Sequence, residues 1–249
     1  MGRFRLRAVA WMRRARRAVR LGTMEQINVV ISGFGPYEDV EVNPAFVVPS
    51  LLETRGFDGL QSAPDPDLAE VEISINAVRL PISFAKAWPQ LRASLEAMSP
   101  QIVIATGLKR TARGVLLERC AMNLMDADKP DVDNALPDRV PIDPQGPAAY
   151  WTGLPLRAII GDFARGGIPV SLSSDAGTYV CNSLFYNLLH WTATRQRTLA
   201  GFVNLPQITE SEHSQHGLSM RQQVEACRII VEQSVRYYLQ PSSGDILLA

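Results

Sequence analysis

The chain has 249 residues with 46% hydrophobic and 20% charged positions, and its formal net charge is zero. A length near 150–250 residues with ordinary charge content fits one large soluble domain and excludes a collagenous, low-complexity or wholly disordered chain. Three widely spaced cysteines, Cys120, Cys181 and Cys227, exclude a disulfide framework and a CxxC zinc site, and indicate a reducing, cytoplasmic setting. No apolar run approaches the roughly 20 residues of a membrane span.

Neutrality hides an asymmetry at the start. Met1 to Thr23 holds eight arginines and no acidic residue. A transit peptide, a membrane-surface helix and a nucleic-acid arm are its functional readings. A disordered extension, or translation upstream of a start at Met24, is the preferred reading. The chain divides into an arginine-rich extension over 1–25, one α/β domain over 26–242 and a tail over 243–249.

Ile27 to Ser32 is a β-branched run ending in Gly33, as expected of a central parallel strand. Asn43-Pro44 opens a helix through Leu52, with proline tolerated in the first turn. Val71 to Val78 reads as a strand and Phe84 to Met98 as a helix. Ile102 to Ala105 is a buried strand. Gly114 to Leu124 forms a strand or hairpin carrying Glu118. The aspartate- and proline-rich stretch from Asp126 to Pro147 reads as a long structured loop. Pro155 to Ala164 is a helix, Ile168 to Leu172 a buried strand, Phe202 to Leu205 a further strand, and Met220 to Leu239 a long amphipathic helix. Strands alternating with helices specify a mainly parallel twisted sheet covered on both faces, a single-domain three-layer α/β/α sandwich.

The run from Ser173 to Asn182 sets Cys181 in the first turn of a helix that begins near Thr178 and runs to about Arg195, marked by Leu184, Phe185, Leu188 and Leu189. Open backbone N–H groups and the helix dipole favour an anion there, so the thiol is expected to ionise easily and act as a nucleophile. The competing reading is a small apolar core residue.

Five ordered blocks carry a family resemblance. They are Gly33-Phe34-Gly35-Pro36-Tyr37 with Val42-Asn43-Pro44; Leu80 to Ala87; Glu118-Arg119 with Asn123-Leu124 and Asp126-Ala127; Gly146 to Pro155; and Ala176 to Asn182 followed by Leu184-Phe185-Tyr186. Together, over about Ile27 to Leu239, the chain resembles the pyroglutamyl peptidase I (pyrrolidone-carboxylate peptidase) family of cysteine peptidases. The resemblance implies hydrolysis of N-terminal pyroglutamyl residues from peptides. Cys181 would be the nucleophile, Glu118 the residue that orients the base, and Phe34, Tyr37, Tyr179 and Val180 the walls of the ring pocket. It implies a dimer or tetramer. The residues themselves show no phosphate-binding glycine loop and no metal-spaced cluster, so no cofactor, metal, nucleic acid or membrane partner is expected.

Two departures matter. The family strand reads Gly-Phe-(Ile/Val)-His-(aliphatic)-Pro, whereas this chain has Gly201-Phe202-Val203-Asn204-Leu205-Pro206, so the base position holds Asn204. An amide cannot take up and return a proton near neutral pH. Leu108 stands where the family carries glutamine, which bears on recognition of the lactam. Three histidines remain: His190, about 13 Å farther along the same helix as Cys181, and His213 and His216 in a polar loop after the Asn204 strand. Three readings are therefore open: a working cysteine omega-peptidase, a degenerate relative that binds pyroglutamyl termini without efficient turnover, or a structural or interaction protein that keeps only the fold, which the retention of Glu118 and Cys181 disfavours.

Overall fold

The computed structural model describes residues 24–37, 40–57, 66–195, 197–210 and 216–246. The extension over 1–23, His213 and the last three residues of the tail lie outside them. β1 (Glu25–Phe34) is followed by α1 (Pro44–Arg55), a 3-10 turn (Pro66–Leu68), β2 (Val71–Leu80), α2 (Ala87–Met98) and β3 (Ile102–Leu108). Then come β4 (Val115–Glu118), β5 (Cys120–Met122), β6 (Ala149–Trp151), α3 (Leu156–Gly166), β7 (Val170–Ser173), α4 (Val180–Ala193), β8 (Leu199–Leu205) and α5 (Met220–Leu239).

The main sheet has the order β2-β1-β3-β8-β4-β7. The first four strands are parallel, and β4 runs antiparallel to β8 while pairing in parallel with β7. Two cores flank it, so the sandwich has three layers. One face packs Val48 and Leu52 of α1, Ile159 and Phe163 of α3, and Ile230 and Val231 of α5. The other packs Leu91 and Leu95 of α2 with Leu184, Phe185 and Leu188 of α4.

Local chemistry explains several boundaries. The Asn43 side chain accepts from Ala45 N–H at 3.0 Å and donates to the Gly35 carbonyl at 3.0 Å, capping α1 while Pro44 fills its first position. A Cβ on Gly33 would lie 1.6 Å from the Ala45 carbonyl oxygen, so the strand end and the helix start approach this closely only with glycine. Ser219 and Gln222 form a capping box at the start of α5.

Three expectations are corrected. The Phe84–Met98 helix begins at Ala87; just ahead of it the Phe84 N–H bonds Asp131 and the Lys86 N–H bonds the Ser83 hydroxyl. Gly114–Leu124 is neither one strand nor a hairpin: β4 joins the main sheet, and β5 leaves it to pair with β6, a strand the sequence reading lacked. The strand at Ile168–Leu172 starts at Val170 and is not buried, since β7 closes the sheet and leaves Ser171 and Leu172 exposed. β1, over Glu25–Phe34, extends the strand expected at Ile27–Ser32 by two residues at each end.

Candidate active site

The site forms at the C-terminal ends of β1 and β3 and the start of α4, where doubly wound sheets open a crevice. Helix α4 begins at Val180, two residues after the expected start, with Cys181 as its second residue and no side-chain cap from Tyr179. The N–H groups of the first turn have no preceding turn to bond them, so they remain available beside the sulfur. Gly177, at φ +77°, turns the chain into the helix, and its N–H donates to Asp175 at 2.9 Å.

Cys181 is half-buried in the wall of a cavity of about 420 Å³. All five positions read as substrate-binding, Phe34, Tyr37, Leu108, Tyr179 and Val180, line the same cavity. The loop over 126–147 supplies further wall through Lys129, Asp131 and Val132.

That loop is tied down firmly. Asp131 is buried; its Oδ1 accepts from the Asp133 and Ala135 N–H groups at 2.8 Å each, and its Oδ2 from Phe84 N–H at 2.8 Å. The Ser83 hydroxyl and the Lys86 ammonium both bond Asp133, whose carboxyl those partners hold below its ordinary range. Tyr179 donates its hydroxyl to the Pro130 carbonyl at 2.9 Å and meets Phe84 edge-on at 5.2 Å. Asn182, fully buried, donates to the Met122 and Leu124 carbonyls at 2.9 Å each and accepts from Met122 N–H at 3.0 Å, locking the nucleophile helix to β5. Sequence reasoning missed Asn182, Lys129 and Asp131. Only the polar residue beside Cys181 offered a local signal.

Behind Cys181 lies a polar corner. Glu118 on β4 and Asn204 on β8 occupy diagonal positions of an antiparallel pair, with Glu118 opposite Phe202 and Leu116 opposite Asn204. Diagonal neighbours two residues apart share a face, so the side chains meet. The Asn204 amide donates to Glu118 Oε1 at 2.7 Å, and both residues are buried. Gly107, the partner of Asn204 on β3, leaves the amide its space: a Cβ there would lie 2.8 Å from Asn204 Oδ1.

Glu118 Oε2 has no hydrogen-bond partner. Ser173 lies nearby, its hydroxyl also 3.4 Å from the Asp175 carbonyl. Burial holds the Glu118 carboxyl above its ordinary range, partly offset by Ser173, Asn204 and the Lys109 charge. Burial also pushes the Cys181 thiol up to about 12; the Glu118 charge adds to the rise and Lys109 opposes it. This corrects the expectation of an easily ionised thiol. The helix start is as anticipated, with desolvation and a neighbouring carboxylate acting against it.

No histidine among the described residues lines the cavity. The His190 ring nitrogen instead meets the Tyr150 hydroxyl at 2.8 Å on the outer part of α4.

An open helix turn carrying a thiol, a cavity with largely apolar walls and a buried carboxylate on the neighbouring α/β sheet are the parts a cysteine-peptidase site requires. The comparisons give the family. The sequence model of the pyroglutamyl peptidase family matches residues 27–237. The pyrrolidone-carboxylate peptidase of Bacillus cytotoxicus is 33% identical over 208 residues, covering 82% of this chain and 91% of that protein. The one from Pseudomonas fluorescens is 37% identical over 183 residues, covering 73% and 79%. Among solved structures, the pyrrolidone carboxyl peptidase of Thermococcus litoralis superposes with a TM-score of 0.76 at 28% identity, covering 90% of this chain and 99% of its own. Pyroglutamyl peptidase I of Bacillus amyloliquefaciens gives 0.75 at 30%, covering 85% and 98%. The chain belongs to the pyroglutamyl peptidase family.

Proposed function

We propose that the chain is a thiol omega-peptidase that removes an N-terminal pyroglutamyl residue through Cys181, slowly, because Asn204 occupies the seat of the base. The observation that carries this reading is Cys181 at the open start of α4, in the wall of one cavity with Phe34, Tyr37, Tyr179 and Val180. The Cys181 sulfur attacks the pyroglutamyl carbonyl carbon, and the N–H groups of the first helical turn receive the developing oxyanion. The C–N bond to the next residue breaks, and the thiol proton departs with the amine. Water then adds to the thioester, releasing pyroglutamic acid and restoring the thiol.

Asn204 contributes no proton transfer; its amide keeps Glu118 in place. Loss of one member of a catalytic unit lowers the rate by roughly four to six powers of ten. The cavity, the cysteine and the carboxylate support the reading, and three free thiols suit a reducing cytoplasm.

A second reading, binding of pyroglutamyl termini without turnover, is favoured by the Asn204–Glu118 hydrogen bond and by the thiol held near 12. Release of a fluorophore from a pyroglutamyl amide separates the two. Slow release that disappears in Cys181→Ala is the expected result. No release above background, with pyroglutamate still bound in calorimetry, would establish the second reading. Neither release nor binding would refute both.

A further inference from the structure

A pyroglutamyl ring brings an amide-like lactam into the cavity, and its carbonyl oxygen needs a donor there, because an unpartnered buried polar group is costly. The Leu108 side chain offers none, although the family resemblance places a glutamine at that position. Three other polar side chains of the wall are engaged in holding the wall itself. Both Asp131 oxygens take backbone N–H groups, the Asn43 side chain bridges Ala45 and Gly35, and the Tyr179 hydroxyl donates to Pro130.

Lys129 is differently placed. Its ammonium lies 5.9 Å from the centroid of the Tyr37 ring and 6.0 Å from that of Tyr179, two walls of the same cavity. Ring faces at this distance hold a cation by their quadrupoles. An ammonium has three N–H donors, so it serves a ligand acceptor alongside its contacts within the chain.

We propose that Lys129 is a specificity-determining residue whose ammonium donates to the lactam carbonyl oxygen of the pyroglutamyl ring, replacing an amide at position 108. The inference rests on the pyroglutamyl reading of the cavity. A lysine on the 126–147 loop makes that loop part of ligand recognition as well as part of the wall.

The test is calorimetric binding of L-pyroglutamamide and of cyclopentanecarboxamide, a ring of similar size without the lactam, to the full chain carrying Cys181→Ala. The parent should prefer pyroglutamamide by about tenfold or more, the scale of one hydrogen bond to a charged donor. Adding Lys129→Met should erase most of that preference by weakening pyroglutamamide alone, and Lys129→Arg should restore it in part. If both ligands weaken equally, or if the preference survives Lys129→Met, the assignment to Lys129 is overturned while the pyroglutamyl site stands. A parent that binds neither ring would overturn the site and the assignment together. Tighter binding of glutamic acid 1-amide, with its free γ-carboxylate, than of pyroglutamamide would overturn lactam recognition in favour of a carboxylate.

Discussion

The cavity wall and the corner behind Cys181 share one sulfur but are built from different interactions. In the wall, Asp131 and Tyr179 have their polar atoms bonded, and Phe34 and Val180 are buried apolar surface. In the corner, a buried carboxylate keeps one oxygen without a hydrogen bond, and its neighbour is an amide that moves no proton. On the proposed function, the wall holds the ring, and the corner keeps the carboxylate that would orient a base while Asn204 takes the place of that base. That reading makes binding and turnover separable, and substitutions in the two regions should have different signatures.

The largest structural effect should come from the wall. Asp131→Ala leaves the N–H groups of Phe84, Asp133 and Ala135 without their acceptor. A loss of roughly 3 kcal/mol is expected, lowering the melting temperature by about 8 °C and weakening pyroglutamate binding with it. Unchanged melting with unchanged binding would show that the 126–147 loop holds its shape without this carboxylate.

The corner is best probed through the thiol. With Cys181 near 12, iodoacetamide labelling of its peptide should rise about tenfold per pH unit from pH 7 to 10 without levelling. An ordinary thiol levels off above about 8.5. A plateau by pH 9, followed by mass spectrometry, would mean that the helix start outweighs burial.

The smallest effect concerns Glu118, and its sign is distinctive. A buried carboxyl whose folded pKa is raised binds more protons folded than unfolded, so its contribution to stability falls as pH rises from the unfolded value. Glu118→Gln should therefore raise the melting temperature at pH 7 by about 3 °C, with the gain shrinking towards pH 4. The Gln carbonyl can still accept from Asn204. A loss of stability at pH 7 would show that the carboxylate, ionised, strengthens the corner.

Much of the scaffold was legible because its signals are local. The β-branched run at Ile27–Ser32, the Asn43-Pro44 helix start and the periodicity over Met220–Leu239 each lie within one segment, and each element appears where expected. What escaped depends on distant partners. The segment leading into α2 is held by Asp131, 47 residues from Phe84. The exposure of β7 follows from its place at the sheet edge. The same division holds at the site. The position of Cys181 in the first turn could be read from the Gly177 turn and the apolar spacing after it. Its pKa could not, because it is raised by burial in the folded wall and by Glu118, which reaches it from another strand. Lys129 sits in an aspartate- and proline-rich loop with no periodicity to mark it, and only the folded loop brings it over Tyr37 and Tyr179.

The central claim is that the wall is intact and the corner lacks only its base. Restoring that base with Asn204→His, and measuring kcat and KM for a pyroglutamyl amide across pH, tests it most directly. A rise in kcat of about a hundredfold or more, with KM nearly unchanged and a new ionisation near the histidine range, is the expected result. No gain in kcat from a folded Asn204→His protein that still binds pyroglutamate would contradict it, and would locate the deficit in the thiol or its surroundings instead.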